Sequence, residues 1–194
     1  CKEKHMPVPL VSSMTCVTIS CTEPDKMEDL LLNYLDWEIF CSSKISNVHE
    51  SIWGIKKNSA GNSFKIYRSK NSDIGMIRVI KGKDRIRNSP MSTRWSGIEI
   101  IVTEDLIGLC KELEKSNVFE VIKPLDEADF THAGANIHTF FHGKGPGLTH
   151  WMFTMAVTQA ETYAFPDSPN RVGHIFDVHL DVDKTDPSRG FYQN

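Results

Sequence analysis

Four histidines, His132, His138, His142 and His150, fall within nineteen residues of sequence. Imidazole titrates near neutrality and binds divalent metals, so such a cluster points to proton transfer or to metal chemistry. His138 and His142 share one face of a single strand, about 13 Å apart, too far to hold one ion between them. Either can join His150 only across a neighbouring strand. Glu99, Arg78 and Thr18 are polar residues on strand faces that are otherwise apolar, which is how pockets orient a substrate. Glu99 beside a histidine is a candidate general base; the alternative is that Glu99 and Arg78 pair with each other. Further on, Asp177, His179 and Asp181 alternate with Phe176, Val178, Leu180 and Val182. That face is either half of a metal site completed by residues beyond Asn194 or the polar side of a half-exposed strand.

The elements that must position these residues centre on Ser96 to Ala156. Ile98, Ile100 and Val102 alternate with Glu99 and Ile101, a strand with one apolar face. Thr103 is an expected N-cap, with Glu104 and Asp105 in the first turn and an apolar stripe of Leu106, Ile107, Cys110 and Leu113 behind it. Three strands follow: Val118 to Ile122, ended by Pro124, then Ile137 to His142, then Leu148 to Met155. Gly143-Lys144-Gly145-Pro146-Gly147 is the hairpin turn between the last two. The order is βαβββ. It recurs earlier: Met14 to Cys21 is a strand, Met27, Leu30, Leu31, Tyr34 and Leu35 form one helical stripe behind Pro24, and Trp37 to Cys41, Phe64 to Ser69 and Gly75 to Ile80 are strands. A third copy opens at Gly173. The units are therefore 12–80, 96–156 and the beginning of a third over 173–194, with Ser42 to Asn62 as an apolar insertion, a lid or a short helix. Lys81 to Trp95 and Val157 to Val172 are connectors.

This repeat, with Asn33-Tyr34-Leu35-Asp36-Trp37-Glu38 at the end of the first helix and Phe191-Tyr192-Gln193-Asn194 at the start of the same phrase, resembles the vicinal oxygen chelate superfamily. The resemblance implies an α+β fold, in which paired βαβββ modules form a curved mixed-sheet cup (the glyoxalase/bleomycin resistance/dioxygenase fold). It also implies metal ligands on the first and last strand of each module, typically His and Glu, for Fe, Mn, Ni, Co or Zn. In this sequence those positions fall on Cys16, on Arg78 or Val79, on Gly97 and on His150. Only His150 suits a divalent metal, so the pattern departs at three of the four, and a protein without a metal is equally compatible. In the third unit the first-strand position falls on Asp177, with His179 two residues on. His150, Asp177 and His179 are thus the candidate metal ligands, and His150 and Glu99 the candidate catalytic residues. Arg78, Thr18, Phe140 and Trp151 are the candidate substrate-binding residues, with Phe141 and Phe153 as further aromatic lining.

Composition bounds the partners. The chain of 194 residues is 40% hydrophobic and 24% charged, with a net charge of −3, an ordinary globular balance without the basic footprint of a nucleic-acid binder. The run Lys81 to Arg87 is expected to be a solvated loop. No apolar stretch reaches the roughly 18 residues of a membrane span. The five cysteines show no CxxC pair or zinc spacing and read as reduced thiols in a cytoplasmic protein. Cys1 in place of a methionine and a helix that breaks off at Asn194 suggest a piece of a longer protein. No GxGxxG, GxxxxGK[ST], GxSxG or HExxH is present. The expectation is a cytoplasmic homodimer acting on a small oxygenated or aromatic molecule as a dioxygenase, lyase or isomerase, or else binding and sequestering such a molecule without chemistry.

Overall fold

The computed structural model describes residues 13–53, 60–83, 95–129, 131, 137–148, 150–158 and 168–180. In chain order the first unit is β1 (Cys16–Cys21), α1 (Pro24–Asp29), which continues as a π-helical turn (Leu30–Tyr34), β2 (Glu38–Lys44), α2 (Asn47–Trp53), β3 (Ser63–Arg68) and β4 (Met76–Lys81). The second is β5 (Trp95–Val102), α3 (Leu106–Glu114), β6 (Glu120–Asp129), β7 (Ile137–Lys144), a 3-10 turn (Pro146–Leu148) and β8 (His150–Ala156), after which β9 (Val172–Leu180) follows. The sheets run β1-β4-β3-β2 and β6-β7-β8-β5-β9. β1 pairs with β4 in parallel, and β5 with β8 likewise, while the other ladders are antiparallel. The two units therefore repeat one α+β topology, as the sequence grammar predicts. β9 lies against the edge of β5, so the second sheet has a fifth strand.

Alternation decides which face of each strand is buried. Ile98, Ile100 and Val102 of β5, Phe141 of β7, and Trp151 and Phe153 of β8 face Leu106, Leu109, Cys110 and Leu113 of α3. Ile19 and Cys21 of β1, Tyr67 of β3, and Ile77 and Val79 of β4 face Met27, Leu30, Leu31 and Leu35. Both sets belong to one apolar cluster, so the helix sides of the two sheets share a core. A second tie is polar: Ile175 of β9 donates its amide to the carbonyl of Gly75 at 3.1 Å, and Ser69 Oγ donates to the carbonyl of Val172 at 3.0 Å. Gly75 must be glycine here, because a Cβ would lie 2.1 Å from the Ile175 carbonyl oxygen and its φ is +62°.

Several local expectations change. The cap of α3 is Asp105, not Thr103: its carboxylate accepts from the Gly108 amide at 3.0 Å, at a φ of +50° that Asp tolerates better than most residues. Thr103 turns instead to β9's approach and donates to the Asn170 carbonyl at 2.7 Å. β6 does not stop before Pro124 but runs on to Asp129. As an edge strand whose register slips between Val121 and Lys123 and again between Lys123 and Asp126, it needs no ladder amide from proline. The stripe from Met27 to Leu35 is not one uniform helix: Leu35 N–H reaches the Leu30 carbonyl at 3.1 Å, five residues back, which widens the last turn into a π-helix.

Candidate functional site

With Ile98, Ile100, Trp151 and Phe153 facing the core, the alternate residues line the opposite side of the second sheet. These are Gly97, Glu99 and Ile101 on β5, His150, Met152 and Thr154 on β8, and His138, Phe140 and His142 on β7; β9 sets His179 beside Gly97. One face of the five-strand sheet thus gathers the imidazoles of His138, His142, His150 and His179 around the Glu99 carboxylate, with Asp177 paired opposite Glu99 and Asp126 opposite Phe140.

Glu99 is the most enclosed acid of the set, 8% exposed. Thr154 Oγ1 donates to its Oε1 at 2.5 Å, and His179 Nε2 stands 3.3 Å from its Oε2. Burying a carboxylate is costly unless it is paired or hydrogen-bonded, and here one oxygen is met from β8 and the other from β9. Gly97, one position before Ile98 on β5, leaves a gap. A Cβ there would lie 3.0 Å from the His150 carbonyl oxygen, 3.3 Å from His150 Nδ1 and 3.4 Å from His179 Nδ1. The two imidazoles therefore approach from either side into the space that the missing side chain leaves.

His150 and His142 are stacked, with ring centroids 5.0 Å apart and planes 11° from parallel, and Phe140 meets His142 edge-on at 5.1 Å. Burial pulls the His142 pKa down to about 4, helped by the charges that His150, His179 and Lys123 can carry; Glu99 opposes the shift. His142 is consequently neutral at physiological pH. Its Nδ1 is buried and has no hydrogen-bond partner among the described residues. An orphaned polar atom at such a site is what a bound molecule would satisfy. Burial lowers His138 too, against the pull of Glu99.

The resemblance read from the sequence implies a divalent metal, and the donors present do not fit one as they stand. Ligand lone pairs of imidazole lie in the ring plane, so the parallel planes of His142 and His150 cannot both contain one ion. His179 turns its Nε2 to Glu99. Asp177 is exposed and accepts from its own neighbour, the Val178 amide, at 2.7 Å. Among the described residues no three His, Cys, Asp or Glu side chains are arranged to hold a metal ion.

The residues singled out from the sequence divide three ways. Glu99, His150 and His179 are brought together, with Phe140 beside them. Trp151 is not on this face: it is 0% exposed, in the core against Phe119 and Phe153, because strand alternation sends His150 and Trp151 to opposite sides. Phe141 and Phe153 are in the same core. Arg78 and Thr18 are together on the first sheet, Nη2 donating to Oγ1 at 2.5 Å, and Arg78 does not pair with Glu99, whose partners are Thr154 and His179. Cys16, at an expected ligand position, is half-buried and directs its Sγ to the Val17 carbonyl at 3.4 Å. His132 lies outside the described residues. Sequence reasoning missed Thr154, whose only signal was its place two and four residues from Met152 and His150 on an alternating strand, and the stacking of His142 on His150.

No protein-family profile matches the chain, and no curated protein matches it by sequence. Solved structures do. A glyoxalase family protein from Bacillus cereus superposes with a TM-score of 0.57 at 9% identity, over 79% of this chain and 99% of that one. A Bacillus subtilis protein provisionally named a dioxygenase gives 0.54 at 13% identity, over 86% of this chain and 47% of the other, so this chain spans about half its length. The fosfomycin resistance protein FosX of Listeria monocytogenes, in complex with Mn(II) and sulfate, gives 0.50 at 9% identity, over 79% and 100%. At such identities likeness speaks for architecture. The chain has the glyoxalase/bleomycin resistance/dioxygenase fold.

Proposed function

We propose that the histidine-lined face of the second sheet binds a small oxygenated organic molecule and moves a proton on it, in the manner of an isomerase or lyase, with Glu99 as the base. The observation that carries the reading is the buried Glu99 carboxylate. It is oriented from both sides by Thr154 and His179, next to an imidazole stack in which His142 Nδ1 has no partner. A base must be fixed within reach of the proton it takes, and a carboxylate so held loses little freedom on reaction. His150, beside the Gly97 gap, is the residue placed to donate to a substrate oxygen as charge builds there, and Phe140 gives the apolar wall. His179 is the positioning partner, whose Nε2 meets the second carboxylate oxygen of Glu99. The chemistry rests on these side chains; no step is routed through a metal.

The test is proton exchange. Full-length protein, purified without chelator or polyhistidine tag and analysed for bound metals, is incubated in deuterated water with a panel of 2-hydroxycarbonyl and 1,3-dicarbonyl compounds, and loss of the acidic C–H signal is followed by proton NMR. Catalysed exchange that falls about 10²–10⁴-fold in Glu99→Gln supports the reading. Saturable binding of a panel member without exchange would leave a binding protein in place of an enzyme. Stoichiometric metal lost in His150→Ala would replace the metal-free mechanism altogether. The assembly expected is a homodimer in the cytoplasm, which sedimentation and cell fractionation would check; no helix among the described residues is long and apolar enough to cross a membrane.

A further inference from the structure

The first sheet carries a second polar site on the side away from the shared core. Register places Thr18, Arg78 and Ile66 side by side on β1, β4 and β3, with Phe64 and Ile80 one step along the same face. α2, the apolar insertion, crosses over this face. Its Trp53 packs edge-on against Phe64 at 5.1 Å and covers the Arg78 guanidinium, whose carbon is 3.6 Å from the indole centroid. Trp53 in turn stacks on His49 of the same helix at 4.4 Å. The guanidinium is therefore covered by an aromatic ring and held to Thr18 at one end, which limits the directions in which its five-donor fork can be approached.

Among the described residues that fork has no counter-charge. Its one hydrogen bond among the described residues goes to Thr18, a neutral hydroxyl. Nε is buried and has no hydrogen-bond partner among the described residues. The two other described arginines are each tied to two carboxylates, Arg68 to Glu38 and Asp73, and Arg171 to Asp105 and Glu112. Arg78 has no ion pair among the described residues, although its neighbours Ile45, Phe64, Ile80, Trp53 and Ile66 form a small apolar cluster that withholds water. Burial works against its charge, and the Cys16 thiol nearby, itself pushed up by burial, offers only weak compensation. A half-buried cation without a counter-charge among the described residues is a site that an anion would complete, and planar carboxylate matches the fork better than a spherical ion.

We infer that Arg78, with Thr18 beneath the Trp53 roof, is a binding site for a small organic carboxylate with an apolar body, distinct from the Glu99 face. The anion meets the guanidinium N–H groups on the side that Trp53 leaves open, and its hydrocarbon part lies along the Phe64 and Ile66 side. Isothermal titration of the full chain with benzoate and with its neutral counterpart benzamide reads this directly. Benzoate is expected to bind saturably and at least tenfold more tightly than benzamide. Arg78→Gln should lose at least tenfold in benzoate affinity, and Arg78→Lys, which keeps the charge without the fork, should fall between. Glu99→Gln should bind benzoate as the wild type does, which separates this site from the one on the second sheet. Equal affinity for benzoate and benzamide, no saturable binding of benzoate, or unchanged binding in Arg78→Lys would overturn the inference. The benzoate-against-benzamide contrast is made on the unaltered chain and does not depend on the variants folding.

Discussion

Acidification should loosen the second sheet through His142. In the folded chain its pKa is pulled from an ordinary 6.5 to about 4, by burial first and by the neighbouring charges of His150, His179 and Lys123 next. In the unfolded chain it returns to its ordinary value, so below about pH 6.5 the unfolded state binds the extra proton and gains free energy. Stability is therefore unaffected above that pH, falls steadily as the pH drops towards about 4, and falls no further from this group below it. At about 1.4 kcal/mol per pH unit the shift corresponds to at most about 3 kcal/mol, and partial solvent contact brings the expectation to about 2 kcal/mol. His138 and His174, also lowered by burial, add losses of the same sign. The His142 share is isolated by urea unfolding of wild type and His142→Gln at about pH 7 and about pH 4.5: the wild type should lose roughly 2 kcal/mol more than the variant. Equal losses, or a His142 ring proton that titrates at or above about pH 6 by NMR, would refute the placement of this imidazole in a dry stack.

Four further outcomes follow from single contacts. Gly97→Ala puts a methyl 3.0 Å from the His150 carbonyl and against both imidazoles; it should cost about 1–3 kcal/mol in melting experiments and abolish the proton exchange proposed above, and a stable, fully active variant would remove the gap from the site. Thr154→Val strips Glu99 Oε1 of its donor, so unfolding free energy should fall by about 1–3 kcal/mol, whereas Thr154→Ser should hold close to wild type. Trp151→Ala empties the core under β8 and should cost about 3–5 kcal/mol, yet leave ligand affinity of the folded fraction unchanged because the ring faces away from the site. Asp105→Ala should lower stability by about 1–2 kcal/mol and Asp105→Asn by less, since Asn keeps the cap and a tolerance for positive φ and gives up only the exposed ion pair to Arg171.

The fold was legible because it is written in period-two alternation. Ile98, Ile100 and Val102 announce the buried face of β5, and the same pattern at Val17, Ile19 and Cys21 announces β1, so two copies of one grammar produce two copies of one sheet. What alternation cannot say is where a strand is allowed to break its own rule. Pro124 reads as a stop, yet an edge strand with a slipped register carries it through. Thr103 reads as a cap, yet Asp105 two residues later reaches the free amide of Gly108, and only the structure shows that the backbone there has turned left-handed. Trp151 sat next to His150 in sequence and looked like its companion in a pocket, but adjacency along a strand means opposite faces.

The site itself needed information that no single strand contains. Taken on its own, β5 offers Gly97 and Glu99, a gap and an isolated acid, and β9 offers a polar face with His179 that reads equally well as solvent-exposed. Antiparallel pairing of β9 on the β5 edge sets Gly97 opposite His179 and Glu99 opposite Asp177, which turns the gap into a place for an imidazole and gives the acid a hydrogen-bond partner. The bulges that follow, between Glu99 and Ile100 and between Ile100 and Val102, then change the register beyond those pairs. The gap at Gly97 thus marks the point at which β9 brings an imidazole up to β5. That division of labour makes Glu99 dependent on β9: removal of residues from Val172 onward should expose the carboxylate and the β5 edge together, and a truncated chain that kept the proton exchange would show that Thr154 alone is enough to hold the base.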